Sequence, residues 1–490
     1  MDNPSAHKQT PQAACLVKAG LEAYLSVPQD PTYEASINSY FSNTAKLRPA
    51  CVLSPKTVEH VSTAIRALVS AKEKFAVRSG GHAPLEKSNN IHGGVTIDLS
   101  SLNSIRYDAD SELITFGPGV RWSQVYRELA KHSRFVAGGR EGETGVGGFL
   151  LGGGNTWFTA RQGFGCDNVV SYRIVLANGV IITVTRDMHA DLFRALKGGS
   201  NNFGVVVSFT MRTMPGNEIW GGVTMTPKQH ISDAIRAVTD FTTNVPNYLD
   251  SSLIVGISYA PQVKDIVVVG ALVETRGAKD SPAFAEWSKL PKMMDTTAAA
   301  KSMIDMGLET ALPSNMFTTW FTLTLKNDVR ILSKAAEVHN TLVDELKSYV
   351  PEGDFATQCL FQPLPTIFSQ RSIATGGNVL GLEGAGSDGI IFQLNAMMKT
   401  SEQSHFAYER VKASVETIKD FAGTIEGALQ DWVYLNYADG SQDPIGSYGV
   451  SNVRFMKTVA EMYDPDGVFQ TLCPGGFKLP SSRKYDSVSF

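Results

Sequence analysis

The residue with the clearest chemical potential is His82, which closes the run Arg78-Ser79-Gly80-Gly81-His82. Two successive glycines let a backbone pass close to a ligand, and a strand running into such a loop is a ligand-binding layout. A lone loop histidine is ordinarily a structural hydrogen bonder; its seat directly after the glycines sets this one apart. A second concentration lies at residues 138–154, GGREGETGVGGFLLGGG, with nine glycines in seventeen residues. So much glycine disfavours a helix or strand chosen for stability and favours close backbone approach. Separate glycine turns of this kind present N–H groups to a pyrophosphate without a fixed basic side chain, which suits a long dinucleotide lying across several loops.

Other chemistries find little support. The pattern GxxxxGK[ST] is absent, and Leu150 occupies the position where GxGxxG starting at Gly145 needs its last glycine, so a nicotinamide Rossmann site is not expected. The nine histidines show no HxxxH or HxH cluster and no GxSxG elbow appears, which argues against a metal centre and a serine nucleophile. Cys15, Cys51, Cys166, Cys359 and Cys473 have no CxxC spacing, and their odd number leaves at least one thiol free. Cys15 with Cys51 is the one pair worth testing as a disulfide.

The elements that must hold these residues follow from composition and periodicity. With 490 residues, 43% hydrophobic and 19% charged, the chain is a folded protein of two compact units. A formal net charge of -4 offers no field for nucleic acid, and no apolar run approaches a membrane span. The polar start Met1–Gln12 is not a secretory signal and Asn3-Pro4-Ser5 is disqualified as a sequon by proline, so an intracellular location is expected over secretion. Ser54-Pro55 opens a helix with Val58, Val61, Ile65 and Leu68 on one face. Strands are expected at 75–77, 95–99 and 113–116, a helix at 122–132, and a type I′ hairpin around Asn178-Gly179 joining strands 169–176 and 180–184. A boundary falls near Pro215. Beyond it, strands at 222–225, 253–259, 266–273, 320–325, 357–361 and 390–398 alternate with helices at 333–349 and 401–421, an α+β unit whose sheet is covered by helices. A strand is expected at 432–437 and a helix at 452–462.

Six motifs in order carry a resemblance: RSGGH at 78–82, GVGG and LGGG within 145–154, DNVV at 167–170, GGSNNFG at 198–204, YLNYAD at 434–439 and YDPDGVFQ at 463–470. Together they resemble the berberine-bridge-enzyme-like flavoproteins of the vanillyl-alcohol-oxidase superfamily, of fungal type, over roughly residues 45–478. The resemblance implies an α+β fold: an N-terminal segment (1–45), a PCMH-type FAD-binding domain (46–217), a substrate domain with an antiparallel sheet covered by helices (218–430), a C-terminal segment that returns to complete the flavin site (431–480), and a tail (481–490). It implies that His82 forms a covalent bond to the 8α position of FAD, with Arg78, Ser79, Gly80 and Gly81 around the pyrophosphate. Gly145, Val146, Gly148, Gly153 and Asn155 match a second FAD-contacting stretch, and Asp167, Gly204 and Val206 match later ones.

One position departs from the pattern. Doubly tethered members of the family have a cysteine four residues before the first glycine of GVGG, where this chain has Glu141, so a single link through His82 is expected. The small Thr144, at a position that can restrict oxygen access in the family, leaves molecular oxygen open as an acceptor. The family's reaction is hydride removal to flavin N5, often aided by a base. With residues 432–437 as a strand, Tyr434 and Asn436 share the site-facing side, and Gln393 and Asn395 on the strand 390–398 line the same pocket. An unperturbed tyrosine is a poor base at neutral pH and would need a cationic partner. The expected activity is FAD-linked oxidation of a small organic molecule, an intermediate of fungal secondary metabolism. An oligosaccharide oxidase and a redox-neutral flavin-bound cyclase or isomerase are the alternatives. No metal, nucleic acid, membrane or protein partner is expected.

Overall fold

The computed structural model describes residues 10–481. Most of the polar N-terminal stretch, the Asn3-Pro4-Ser5 triplet and all but the first residue of the tail 481–490 lie outside the described residues. No helix among the described residues is long and apolar enough to cross a membrane.

The first part of the chain builds two sheets. Cys51–Leu53 and Phe75–Arg78 both run parallel to Val95–Asp98, with Leu25–Ser26 antiparallel at the edge. The helix Val58–Ala71 buries Val61, Ile65 and Leu68, as its spacing requires. It starts later than the sequence suggests: Thr57 is the cap, its hydroxyl accepting from the His60 N–H, while Ser54-Pro55 stay outside the helix. The second sheet has Ile105–Asp108, Leu113–Phe116, Val205–Arg212, Val169–Val175 and Ile181–Thr185 side by side, all antiparallel. The hairpin between its last two strands forms where expected but with a different turn. Only Gly179 has positive φ; Leu176 N–H donates to Val180 O and Gly179 N–H to Leu176 O, which is a longer loop closed by a glycine bulge and not a type I′ turn.

Residues 219–430 form a nine-stranded sheet. Its central strands Ile219–Pro227, Asp265–Glu274, Ser251–Ala260, Phe355–Leu364, Gly389–Met398 and Phe317–Lys326 pair antiparallel in that order. The helices Ile231–Asn244, Val329–Lys347 and Ser401–Gly423 cover one face. The helix Ser401–Gly423 begins at a capping box in which Thr400 and Gln403 satisfy each other's backbone N–H groups. The opposite face of the sheet is left for the glycine loops of the first part. The chain then returns through the helix Val450–Tyr463, and residues after it dock on the 198–204 loop: Asn201 Nδ2 donates to Gly475 O and Asn202 Nδ2 to Phe477 O.

Two further expectations give way. Inside the glycine-rich stretch, Val146–Leu151 forms a short helix despite Gly147 and Gly148. All five cysteines are free thiols, Cys15 and Cys51 included, and burial pushes the Cys51 thiol up to about 12.

Candidate active site

Between the uncovered sheet face and the glycine loops lies a cleft of about 450 Å³. Its floor is backbone. A Cβ on Gly80 would sit 2.5 Å from Gly145 Cα, and one on Gly145 would sit 2.6 Å from Gly80 Cα, so the two loops touch only because both residues are glycine. Ser79 ties them together: its hydroxyl donates to Pro118 O and accepts the Gly147 N–H. Gly148, also in the lining, has open space where a Cβ would stand.

His82 stands at the end of this floor. Its ring stacks on Phe41, centroids 4.2 Å apart at 15°. Nε2 lies 2.8 Å from Glu141 Oε2. The contact is close, but its geometry is not that of an aligned hydrogen bond. Thr144 Oγ1 donates to the same carboxylate oxygen at 2.6 Å. Burial alone would raise the Glu141 carboxyl; His82 and Thr144 outweigh it and hold the group below its ordinary range.

The roof is the sheet, whose alternate residues point down. Ile254, Gly256 and Ser258 come from one strand, Gln358, Leu360 and Gln362 from the next, then Gln393, with Trp320 beyond it. Asn395 projects from the same face but is fully covered, its Nδ2 donating to Gln358 Oε1. It is one residue removed from the cleft.

The segment 432–437 is not a strand. Leu435–Tyr437 is a 3₁₀ turn closed by Tyr437 N–H to Tyr434 O, so the side chains three apart, Tyr434 and Tyr437, come together, rings 4.8 Å apart and edge to face. Tyr434 is buried, and its hydroxyl accepts from Asn155 N–H at 2.7 Å and from Asn436 Nδ2 at 3.1 Å. Burial pushes its phenol well above the ordinary range, which removes it as a base at neutral pH. Asn436 Nδ2 also donates to Phe149 O, fastening the turn to the glycine loop. The polar contacts overlooked at the level of sequence belong to Tyr437, whose hydroxyl accepts from Arg140 Nη2 at 2.6 Å; the same Nη2 reaches Gln362 Oε1 at 2.6 Å. A pair of glutamines four apart in a mostly apolar strand, Gln358 and Gln362, was the available signal, because a buried amide in a strand needs a partner.

Of the residues expected to hold the cofactor, Ser79, Gly80, Gly81, His82, Gly145, Gly148 and Asn155 line the cleft. Arg78 does not: it is buried the other way, donating to Ser36 O and Ser39 Oγ, under the Tyr40 ring and 3.6 Å from Asp98. Val146, Gly153, Asp167, Gly204 and Val206 are also outside the lining. Asp167 is a buried anchor that accepts from Phe164 N–H, Ser372 Oγ and Asn378 Nδ2. Val146 and Val206 belong to the core, and Gly153 and Gly204 serve positive-φ turns.

The lining fits a flavin dinucleotide. It combines a glycine floor, open where a Cβ on Gly148 would stand, with the His82 imidazole at its end and a buried polar atom lacking a hydrogen-bond partner, Asn89 Oδ1. Residues 49–185 match the family model described as an FAD binding domain. The FAD-dependent monooxygenase drtC of Aspergillus calidoustus is 36% identical over 455 residues, covering 92% of this chain and 86% of that protein. The FAD-dependent monooxygenase sdcF of Emericella nidulans is 36% identical over 459 residues, 93% and 95% of the two chains. Among solved structures, 6-hydroxy-D-nicotine oxidase from Arthrobacter nicotinovorans superposes with a TM-score of 0.77 at 18% identity, over 94% of this chain and 98% of its own. Glucooligosaccharide oxidase from Acremonium strictum gives 0.75 at 20%, over 94% and 97%. A glycine-floored cleft, this fold and near-full-length similarity to flavoenzymes coincide in one molecule: the chain belongs to the family of FAD-dependent oxidoreductases that includes drtC and sdcF.

Proposed function

We propose that this enzyme holds FAD through a single covalent bond from His82 and oxidises a largely apolar small molecule bearing a hydroxyl or amine. In this reading residues 46–217 and 431–480 hold the cofactor and residues 218–430 cover the substrate. The observation that carries it is the cleft itself: His82 and the touching glycines on one side, a sheet presenting Val223, Ile254, Val269, Ala271 and Leu360 on the other. A glucooligosaccharide oxidase related in fold is described as carrying 6-S-cysteinyl, 8α-N1-histidyl FAD. Here the histidine is present and Glu141 stands where the cysteine would be, which supports one link and not two.

Bound FAD supplies an N5 that accepts a hydride. The chain's own residues do the rest. The apolar roof seats the carbon skeleton and excludes water. Gln393, whose side-chain amide makes no hydrogen bond among the described residues, is available to a substrate polar group, as is the half-buried hydroxyl of Tyr437. Arg140 fixes that hydroxyl and leaves a fixed positive charge beside the place where a substrate proton is lost. Tyr434 and Asn436 position the turn and take no part in proton transfer. Relatives called monooxygenases from fungi support an intermediate of fungal secondary metabolism as the substrate and dioxygen as a co-reactant. The apolar roof favours this over an oligosaccharide.

Acid precipitation tests the linkage: flavin stays with the washed wild-type pellet and washes out of His82→Ala. Anaerobic mixing with candidate substrates tests the chemistry. Bleaching of the oxidised flavin identifies an oxidation, whereas turnover without bleaching identifies a redox-neutral reaction and overturns the oxidase reading.

A further inference from the structure

We propose that Glu141 is a positioning residue for cofactor attachment: its carboxylate holds the imidazole of His82 with Nδ1 free and takes up the proton that bond formation releases. This rests on the reading that His82 carries the flavin. The His82 ring is held on two sides. Phe41 stacks on its face and the Glu141 carboxylate meets its Nε2 edge at 2.8 Å. Nδ1 is left without a hydrogen-bond partner among the described residues. A carboxylate beside Nε2 favours the tautomer with its hydrogen on that nitrogen, which places the lone pair on Nδ1.

Glu141 is itself fixed. Its side chain is 16% exposed, and Oε2 also accepts from the Thr144 hydroxyl. The loop carrying it is pinned by Trp122 N–H to Thr144 O, Ser123 N–H to Gly142 O and Thr310 Oγ1 to Arg140 O. Arg140 is spoken for by Gln362 and Tyr437. The carboxylate is therefore free to serve the histidine, and its depressed pKa keeps it ionised at neutral pH.

The attachment balances as follows. A bond forms between Nδ1 and the 8α carbon, and one C–H bond of that methyl group breaks. Its electron pair reduces the isoalloxazine, and two protons are released, one from the methyl carbon and one from Nε2. The Nε2 proton passes to Glu141. Dioxygen accepts the electron pair and both protons, giving hydrogen peroxide and restoring the oxidised ring.

The test uses full-length protein produced with limiting flavin, then incubated with FAD in air. Total flavin is read from native absorbance and covalent flavin from the acid-washed pellet, with the modified His82 peptide confirmed by mass. Glu141→Gln keeps the shape and removes the charge. It should bind FAD and link it roughly 100-fold more slowly, the scale of a lost proton acceptor, and Glu141→Asp should recover part of the rate. Linkage in Glu141→Gln at the wild-type rate overturns the proposal. Wild type that binds flavin without linking it overturns the reading of His82 instead. Should Glu141→Gln bind no flavin, Glu141→Asp decides: covalent flavin supports the role, and flavin bound but never linked refutes it.

Discussion

Gly148→Ala separates the architecture of the glycine floor from its purpose. The residue lies inside the helix Val146–Leu151, its φ is not positive, and a Cβ there meets nothing within 4 Å. In flavin-free protein, alanine should therefore stabilise the helix by about 0.5–1 kcal/mol through lower entropy of the unfolded chain. That is on the order of 0.5–1 °C for a chain of this size. With FAD the sign reverses. The open space faces the cleft, so the methyl group competes with the ligand, and forcing a methylene into a filled site costs about 1–3 kcal/mol. Affinity should fall roughly 5- to 150-fold. Gly80→Ala provides the contrast, because its Cβ would stand 2.5 Å from Gly145 Cα whether or not flavin is present. It should destabilise both forms. The measurement is made in a His82→Ala background, so that FAD binding is reversible: thermal unfolding with and without FAD, and an FAD titration by fluorescence. If Gly148→Ala binds FAD as tightly as its parent, the floor at 145–148 does not face the cofactor and the reasoning fails.

Tyr437→Phe should slow anaerobic flavin bleaching by about 100-fold with flavin content unchanged, and Arg140→Met should do the same; equal rates in variant and parent would remove both from the chemistry. Tyr434→Phe should instead act on stability. It leaves the Asn155 N–H without its acceptor, costing about 1–3 kcal/mol in thermal or denaturant unfolding, with a bleaching rate within about tenfold of wild type. In the folded protein the Glu141 carboxyl is held below its ordinary value of about 4.5. The stability it contributes is thus fully present above about 4.5 and is lost as pH falls through the lower folded value. The difference in stability between wild type and Glu141→Gln should shrink as pH falls below about 4.5; a difference that grows over that range would contradict the depressed Glu141 carboxyl.

What could be read from the chain divides along the range of the interactions involved. The six long strands between 219 and 398 and the helices Val329–Lys347 and Ser401–Gly423 stand close to where their periodicity puts them, because a buried face must repeat every two or 3.6 residues whatever surrounds it, whereas the helix Ile231–Asn244 was not read from the sequence. The touching glycines were legible for the same reason: only close approach explains so many. Residues 434–437 were not. Tyrosine-rich segments favour strands, and strand alternation pairs Tyr434 with Asn436. The segment turns because Asn436 reaches Phe149 O and the Tyr434 hydroxyl reaches Asn155 N–H, both in a loop almost 300 positions earlier. Once the backbone closes as a 3₁₀ turn, the pairing becomes Tyr434 with Tyr437, and the roles divide. The inner tyrosine, buried and twice hydrogen-bonded, can only hold the loop. The outer one meets Arg140, itself a member of the glycine stretch whose backbone had seemed to be its whole purpose. Arg78 fails in the opposite direction: adjacent to the cradle in sequence, it lies at the end of a strand and turns to Ser36 and Ser39, where it fastens the helix Pro31–Asn38 to the sheet. Neighbourhood along the chain decides which loop a residue belongs to. Which way its side chain faces is decided by partners that only the fold brings near.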